Sequence, residues 1–238
     1  MQGFLKLSDY QFKEDGSTDW QTKGVVLWSM LISNSLWQLK NTENKMFTLG
    51  QKESIAISIL INLAAAIESF TKAMLISYMS NNKEITNSNS NFQKFFQATV
   101  ENYPFPKLVS LFPTITGSKF SEVVTCSKDI SVLMNLRNRL IHGQPPRIAY
   151  NSATKELIYS PDYSDICEYL YENVDIPQVQ SCSGYHIEFL CFKVLHHFFE
   201  VLPRYFNSFK PMFTGLISEP NVHKEIDEVI QKIENRYK

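Results

Sequence analysis

The sequence predicts an all-α protein, an up-and-down bundle of four to five long helices with a small β-hairpin inserted after the third. Apolar residues recur at helical spacing in several long stretches of the chain. Of the 238 residues, 44% are hydrophobic and 20% charged, which suits one globular domain with a full core. We detect no internal repeat, and we therefore predict a single domain over residues 1–238, with its helical core at about 24–209.

Five apolar stretches account for the long helices. Gly143 and two prolines end the third of them, because proline cannot continue a helix and glycine favours helix ends. The predicted helices run over about 22–44, 51–80, 118–142, 183–209 and 220–237.

The connections are predicted from polar or proline-rich composition. Residues 1–20 are predicted to be a surface strap, and the Asn/Ser-rich segment 81–91 a mobile loop. Between the loop at 81–91 and the third helix we predict a short helix at 92–101 and an irregular insertion at 108–117, which contains Pro113. Later segments are a hairpin of residues 147–150 and 156–159, and a short helix at 165–171.

The second helix is the most apolar stretch and has two interpretations. Its length would suffice for a membrane span. Asn62, Glu68 and Lys72 interrupt it, however, and favour a buried central helix of a bundle. Glu68 and Lys72 are four residues apart, so they can pair along a solvated edge. Alternatively, Glu68 reaches the third helix and orients a functional side chain there.

The end of the third helix carries the candidate chemistry. Arg137, Asn138 and His142 lie within six residues, just before Gly143 and two prolines. Asn138 and His142 share a helical face, so the amide can hold one ring nitrogen of the imidazole. Arg137 and His142 are separated by about 140° around the helix. They converge only if the last turn loosens or a second copy of the chain completes the site.

The pattern Arg-Asn-x-x-x-His late in an apolar helix resembles the signature of the HEPN superfamily (higher eukaryotes and prokaryotes nucleotide-binding domains). The resemblance covers roughly residues 24–209. It implies a metal-independent endoribonuclease of a toxin, phage-defence or stress-response system. It also implies an acidic residue on the second helix, which Glu68 matches, and a composite site between two chains.

The residue types suit RNA cleavage without a metal or cofactor. Histidine titrates in the range needed for proton transfer, and arginine binds two phosphate oxygens while remaining charged. We expect His142 to act as acid or base, Arg137 to clamp the phosphate and Asn138 to fix the imidazole. Because one histidine cannot easily act as both acid and base, we expect a homodimer through the motif helix. Arg139 and Arg147 are expected to bind RNA.

Other interpretations stay open. Basic residues near a helix C-terminus commonly satisfy its carbonyls, and Arg137, Arg139 and His142 fit that role as well. A non-catalytic HEPN module that binds RNA, nucleotide or a protein partner is the alternative function, and a purely structural scaffold is a third. Some HEPN toxins carry a tyrosine two residues after the histidine, where this chain has Gln144. That difference weakens a modification-controlled toxin–antitoxin system, although a protein antitoxin or regulator remains an expected kind of partner.

Composition limits the partners and the compartment. The net charge of −1 excludes a global field that attracts nucleic acid, so RNA would need a local patch. The N-terminus lacks the apolar core of a signal peptide, and the four cysteines lack Cys-x-x-Cys spacing, which favours a cytoplasmic protein with reduced thiols and no membrane anchor. Histidines 186, 196 and 197 lack a complete ligand set, so we predict no metal site.

Overall fold

A computed structural model describes most of the chain. The described residues are 20–43, 45–81, 90–142, 148–150, 153, 157–159, 161–174, 176 and 190–235. We name the helices α1 Trp20–Glu43, α2 Leu49–Asn81, α3 Ser90–Asn102, α4 Phe105–Thr116, α5 Phe120–Val123, α6 Ser127–Ile141, α7 Pro161–Asn173, α8 Phe192–Asn207 and α9 Glu219–Glu234, with strands β1 Ile148–Tyr150 and β2 Leu157–Tyr159 and a 3₁₀ turn Lys210–Phe213. Helices dominate the described residues, so the prediction of an all-α class is confirmed.

Helix α2 is the centre of the packing. It is 33 residues long and contacts α1, α3, α4, α6 and α8. Ala64, Ala66 and Ile67 in its middle are fully buried, and the small side chains let neighbouring helices approach closely. Within the described part of the chain, α2 alone is long and apolar enough to cross a membrane. Half of its most apolar stretch is buried against other parts of the protein.

An aromatic cluster joins α1, α2 and α8. The ring of Phe70 on α2 lies 4.8 Å from Trp28 and 4.8 Å from Phe206, and it also contacts the ring of Tyr205. The edge-to-face contacts are the geometry that aromatic quadrupoles favour. Beside them, the hydroxyl groups of Thr71 and Tyr205 form a buried hydrogen bond of 2.5 Å. This cluster fixes the position of α8 against the central helix.

The segment predicted as an irregular insertion is helical. Helix α4 includes Pro113 and ends at Gly117, whose positive φ of 76° is accessible to glycine at little cost. Phe105, Leu108, Phe112 and Ile115 are buried at the spacing of one helical face. Burial of this face outweighs the single hydrogen bond that Pro113 removes. The prediction at 108–117 was therefore wrong.

The third predicted helix is two helices rather than one. The four-residue α5 ends at Val124, whose φ and ψ of −100° and 95° are extended, and α6 begins at Ser127. Val124 and Cys126 are buried, so the interruption packs into the core. The C-terminal end at Ile141 agrees with the predicted end of the motif helix.

The elements after the motif helix differ from their predictions mainly in length. Strands β1 and β2 pair antiparallel, with Ala149 opposite Ile158. Helix α7 is longer than the predicted 165–171. Helix α8 begins at Phe192, and residues 183–189 of the predicted fourth helix lie outside the described residues. The predicted strap at 1–20 and the interior of the loop at 81–91 also fall largely outside them.

Candidate functional site

The motif lies where α6 ends. His142 is the C-cap residue of α6, and its backbone N–H donates to the carbonyl of Asn138 at 3.1 Å. His142 and the preceding Ile141 are exposed, and the side chain of Ile141 is 49% accessible. The predicted helix end and an accessible imidazole are thus both present. Gly143, Gln144, the two prolines and Arg147 lie outside the described residues.

Glu68 joins α2 to the motif helix. Its Oε2 accepts a hydrogen bond of 3.4 Å from Nη2 of Arg137, and its Oε1 accepts one of 2.9 Å from Nζ of Lys72. The side chains of Glu68, Lys72 and Arg137 are 17%, 22% and 25% exposed, so the network lies at the edge of the core. The prediction that Glu68 reaches the motif helix is confirmed, and its partner there is Arg137. The i,i+4 pair with Lys72 forms as well.

Asn138 does not orient the imidazole as expected. Its Oδ1 accepts a hydrogen bond of 2.8 Å from Nη1 of Arg137. Among the described residues, no hydrogen bond joins the Asn138 side chain to the ring of His142. A charged guanidinium donor forms a strong hydrogen bond with an amide oxygen, which favours Arg137 as the partner of Asn138. Asn138 and Glu68 together therefore position Arg137 rather than His142.

The single chain does not bring Arg137 and His142 together. Among the described residues, no hydrogen bond joins the two side chains, which is consistent with their separation around the helix. Arg139, in the last turn of α6, is half-buried. The motif thus presents an oriented guanidinium and an exposed imidazole on different sides of one helix end.

A second polar cluster, which the sequence did not indicate, lies at the other end of α6. Oδ1 of Asp129 accepts a hydrogen bond from the Tyr169 hydroxyl of α7 and lies 3.3 Å from Nε2 of His197 on α8. Nη2 of Arg204 lies 4.0 Å from the same oxygen. Three helices therefore meet at one carboxylate. Tyr169 is 40 residues from Asp129 in the chain, and the partners on α8 are farther still. Local periodicity in the sequence therefore could not predict that these side chains meet.

Burial changes the acidities in this second cluster. The pKa of His197 is lowered because burial disfavours the imidazolium more than Asp129 stabilises it. Burial and the hydrogen bond to Asp129 raise the pKa of Tyr169 well above its usual range. Burial, with Asp129 nearby, also raises the pKa of the Cys126 thiol to about 11. The cluster therefore holds a neutral imidazole, a neutral phenol and a thiol that resists ionisation.

The remaining histidines on α8 and α9 have structural partners. Nε2 of His196 lies against a carboxylate oxygen of Glu43 on α1, and Nε2 of His223 lies 3.1 Å from the carbonyl of Lys210. His186 and Cys182 lie outside the described residues. Within the described ranges, no group of three or more His, Cys, Asp or Glu side chains is arranged to hold a metal ion.

Comparison of the chain with protein-family models, with curated proteins and with solved structures found no match.

Proposed function

We propose that the protein is a metal-independent endoribonuclease of the HEPN type, acting in a defence, toxin or stress-response setting. The observation that carries this proposal is that the last two turns of α6 hold an oriented Arg137 and the same helix end presents an exposed His142. Asn138 and Glu68 hold the guanidinium from two sides. The HEPN-like bundle and the cytoplasmic location belong to the same proposal.

Arg137 retains donors for a phosphate. A guanidinium has five N–H donors, and the described contacts use two of them. Nε is buried and has no hydrogen-bond partner among the described residues, whereas a quarter of the whole side chain remains exposed. Free Nη hydrogens at the exposed edge suit a bridging phosphate, to which arginine can bind in a bidentate manner.

Local charge favours an anionic ligand in spite of the net charge of −1. The carboxylate of Glu68 faces two cations, Lys72 and Arg137, so this network has an excess of positive charge. Field lines from such a patch act over about 8–10 Å at physiological ionic strength, which suits contact with a few phosphates of an RNA strand. We also propose that Arg147, in the segment after the motif, binds RNA.

The proposed reaction moves two protons and exchanges one P–O bond for another. A base removes the proton of the ribose 2′-hydroxyl, and the 2′-oxygen attacks the adjacent phosphorus. The bond from phosphorus to the 5′-oxygen breaks, and an acid protonates the leaving oxygen. The products are a 2′,3′-cyclic phosphate and a 5′-hydroxyl. Arg137 stabilises the charge that develops on the phosphate oxygens.

A second copy of the chain completes this chemistry. One imidazole cannot easily be both base and acid here, because in-line attack places the 2′-oxygen and the leaving 5′-oxygen on opposite sides of the phosphorus. Because Arg137 and His142 diverge within one chain, a twofold pair of α6 ends would supply two imidazoles to one cleft. The exposed Ile141 beside His142 provides apolar surface for that approach.

Single-stranded RNA incubated with the purified protein in a chelator tests the proposal. We expect cleavage that leaves 2′,3′-cyclic phosphate ends, and we expect the variant His142→Ala to abolish it. His223→Ala is the matched control, because that histidine lies on α9 and contacts the Lys210 carbonyl. Cleavage that is unchanged in His142→Ala would exclude this mechanism.

One observation favours a non-catalytic HEPN module as the second candidate. Arg137 is already engaged by Glu68 and Asn138 within the same chain, as a residue that joins α6 to α2 would be. Such a module would bind RNA or nucleotide without cleaving it. A rise in melting temperature with nucleotide or RNA, without cleavage, would support this function.

A further inference from the structure

The outer face of α1 is apolar and lacks a partner within the described residues. Leu27, Met30 and Trp37 are 52%, 58% and 65% exposed, and the exposed Asn34 lies between them. We call these four residues the α1 stripe. The opposite face of the same helix, with Trp28, Ile32 and Leu39 fully buried, packs against α2. Helix α1 is therefore apolar on two faces, which is typical of a helix that is covered on both.

The distribution of charge supports the same conclusion. The sequence contains no charged residue in the 16 positions 24–39, a length of about 24 Å along a helix. A solvated helix face ordinarily carries Lys, Arg, Asp or Glu, whereas depletion of charge marks the core of a protein interface. We infer that the α1 stripe is the contact surface for a second copy of this chain, with the two α1 helices antiparallel across a twofold axis.

The spacing of the stripe identifies the second copy as its occupant. The intervals from Leu27 to Met30, Asn34 and Trp37 are three, four and three residues, the same in either direction. An antiparallel pair about a twofold axis near Ile32 therefore sets Leu27 against Trp37 and Met30 against Asn34, on both sides of the axis. An isologous contact requires this kind of self-complementarity. The three-four alternation is also the spacing of helices that pack as coiled coils.

The area indicates a dimer of moderate affinity. From their exposed fractions, the three apolar side chains of the stripe present roughly 350 Å² per chain, given about 150–250 Å² for a large side chain. Two copies would bury roughly 700 Å² there. Asn34 within the stripe and the neighbouring Ser33 and Asn41 add polar surface. The total approaches the lower end of the range for specific interfaces, about 1,200 Å². We expect a dissociation constant on the order of micromolar.

Sedimentation of the full chain over a concentration range tests the inference. We expect the wild type to form a dimer and Met30→Lys to be monomeric with an unchanged melting temperature, because residue 30 is exposed in the single chain. Asn34→Glu should be monomeric as well. The matched control is Phe95→Lys on α3, which is 70% exposed and outside the stripe, and which should remain dimeric.

Mixing the two monomeric variants tests the partner and the register together. Met30→Lys and Asn34→Glu chains should form a mixed dimer, because the introduced ammonium and carboxylate groups would face each other across the axis. The second contact would still set Asn34 of one chain against Met30 of the other, as in the wild type. A wild type that is monomeric at its highest soluble concentration would overturn the inference. If Trp37 in that monomer were also protected from iodide quenching, another segment of the same chain would replace the second copy as the occupant of the stripe. A mixture that stays monomeric would overturn the antiparallel register.

The α1 contact and the nuclease activity can be refuted independently of each other. Sedimentation requires no RNA, so a wild-type dimer without ribonuclease activity would retain the α1 contact and exclude the proposed reaction. Cleavage by Met30→Lys chains that sediment as monomers would retain ribonuclease activity and contradict the site shared by two α6 ends.

Discussion

Replacing Glu68 with glutamine removes one negative charge from the contact between α2 and the motif helix. The carboxylate accepts hydrogen bonds from Lys72 and Arg137, whose side chains are 22% and 25% exposed. Exposed ion pairs contribute about 0.2–1 kcal/mol, whereas breaking a buried pair costs about 3–5 kcal/mol. For this partly exposed network we expect Glu68→Gln to lower the free energy of unfolding by about 1–2 kcal/mol, between those two limits.

Urea denaturation at neutral pH measures that change, with Glu228→Gln as the control, because Glu228 is exposed on α9. At about 2–4 °C per kcal/mol for a chain of this size, the melting temperature should fall by about 2–8 °C. Higher salt should reduce the difference, since the network is partly solvated. A double-mutant cycle with Arg137→Gln should give a coupling energy of about 1 kcal/mol. If Glu68→Gln is as stable as Glu228→Gln and the coupling is zero, Glu68 does not hold Arg137.

Three further predictions concern the core and the second cluster. Thr71→Val and Tyr205→Phe should each lower the free energy of unfolding by about 1–2 kcal/mol, and the double variant by less than their sum, as denaturation curves would show. Because burial lowers the pKa of His197, this imidazole takes up a proton at a higher pH in the unfolded chain than in the folded one. Stability should therefore decline as pH falls below about 6.5, and decline less in His197→Asn, when unfolding is followed by circular dichroism. With a pKa of about 11, the buried Cys126 thiol should resist Ellman's reagent at a pH of about 8 until the chain unfolds, while the half-buried Cys191 reacts earlier.

Periodicity was sufficient for the helices that bury one continuous apolar stripe. Helices α1, α2 and α9 begin and end within about three residues of their predicted bounds. Their apolar faces are long, and helical spacing alone identifies them. The motif helix ended as predicted because Gly143 and two prolines follow it in the sequence.

Errors arose where a local signal competed with packing. Pro113 suggested an irregular segment, yet the helical spacing of Phe105, Leu108 and Phe112 was already visible and prevailed in α4. The break at Val124 follows no glycine or proline. It arises because Val124 and Cys126 are buried in the interruption itself, which only tertiary packing reveals.

The candidate site was predictable in its members but not in all its contacts. The helical position of Glu68 relative to Lys72 indicated a polar edge on α2, and its contact with Arg137 was one of two stated interpretations. The competition for Asn138 between Arg137 and His142 depends on side-chain rotamers, which spacing does not determine. The Asp129 cluster depends on contacts between three helices distant in sequence, so it could not be derived from the chain alone.

The most direct test of the proposed nuclease is a titration of the inactive variant His142→Ala into a fixed amount of wild-type chain, with RNA cleavage followed in a chelator. If two imidazoles from two chains serve one site, an equal mixture at exchange equilibrium contains about a quarter of intact dimers. Activity per total chain should then fall to about a quarter of the wild-type value, and added His142→Ala should suppress the wild type. A fall to one half, as independent chains would give, would contradict the shared site, and the absence of cleavage by the wild type would contradict the nuclease itself.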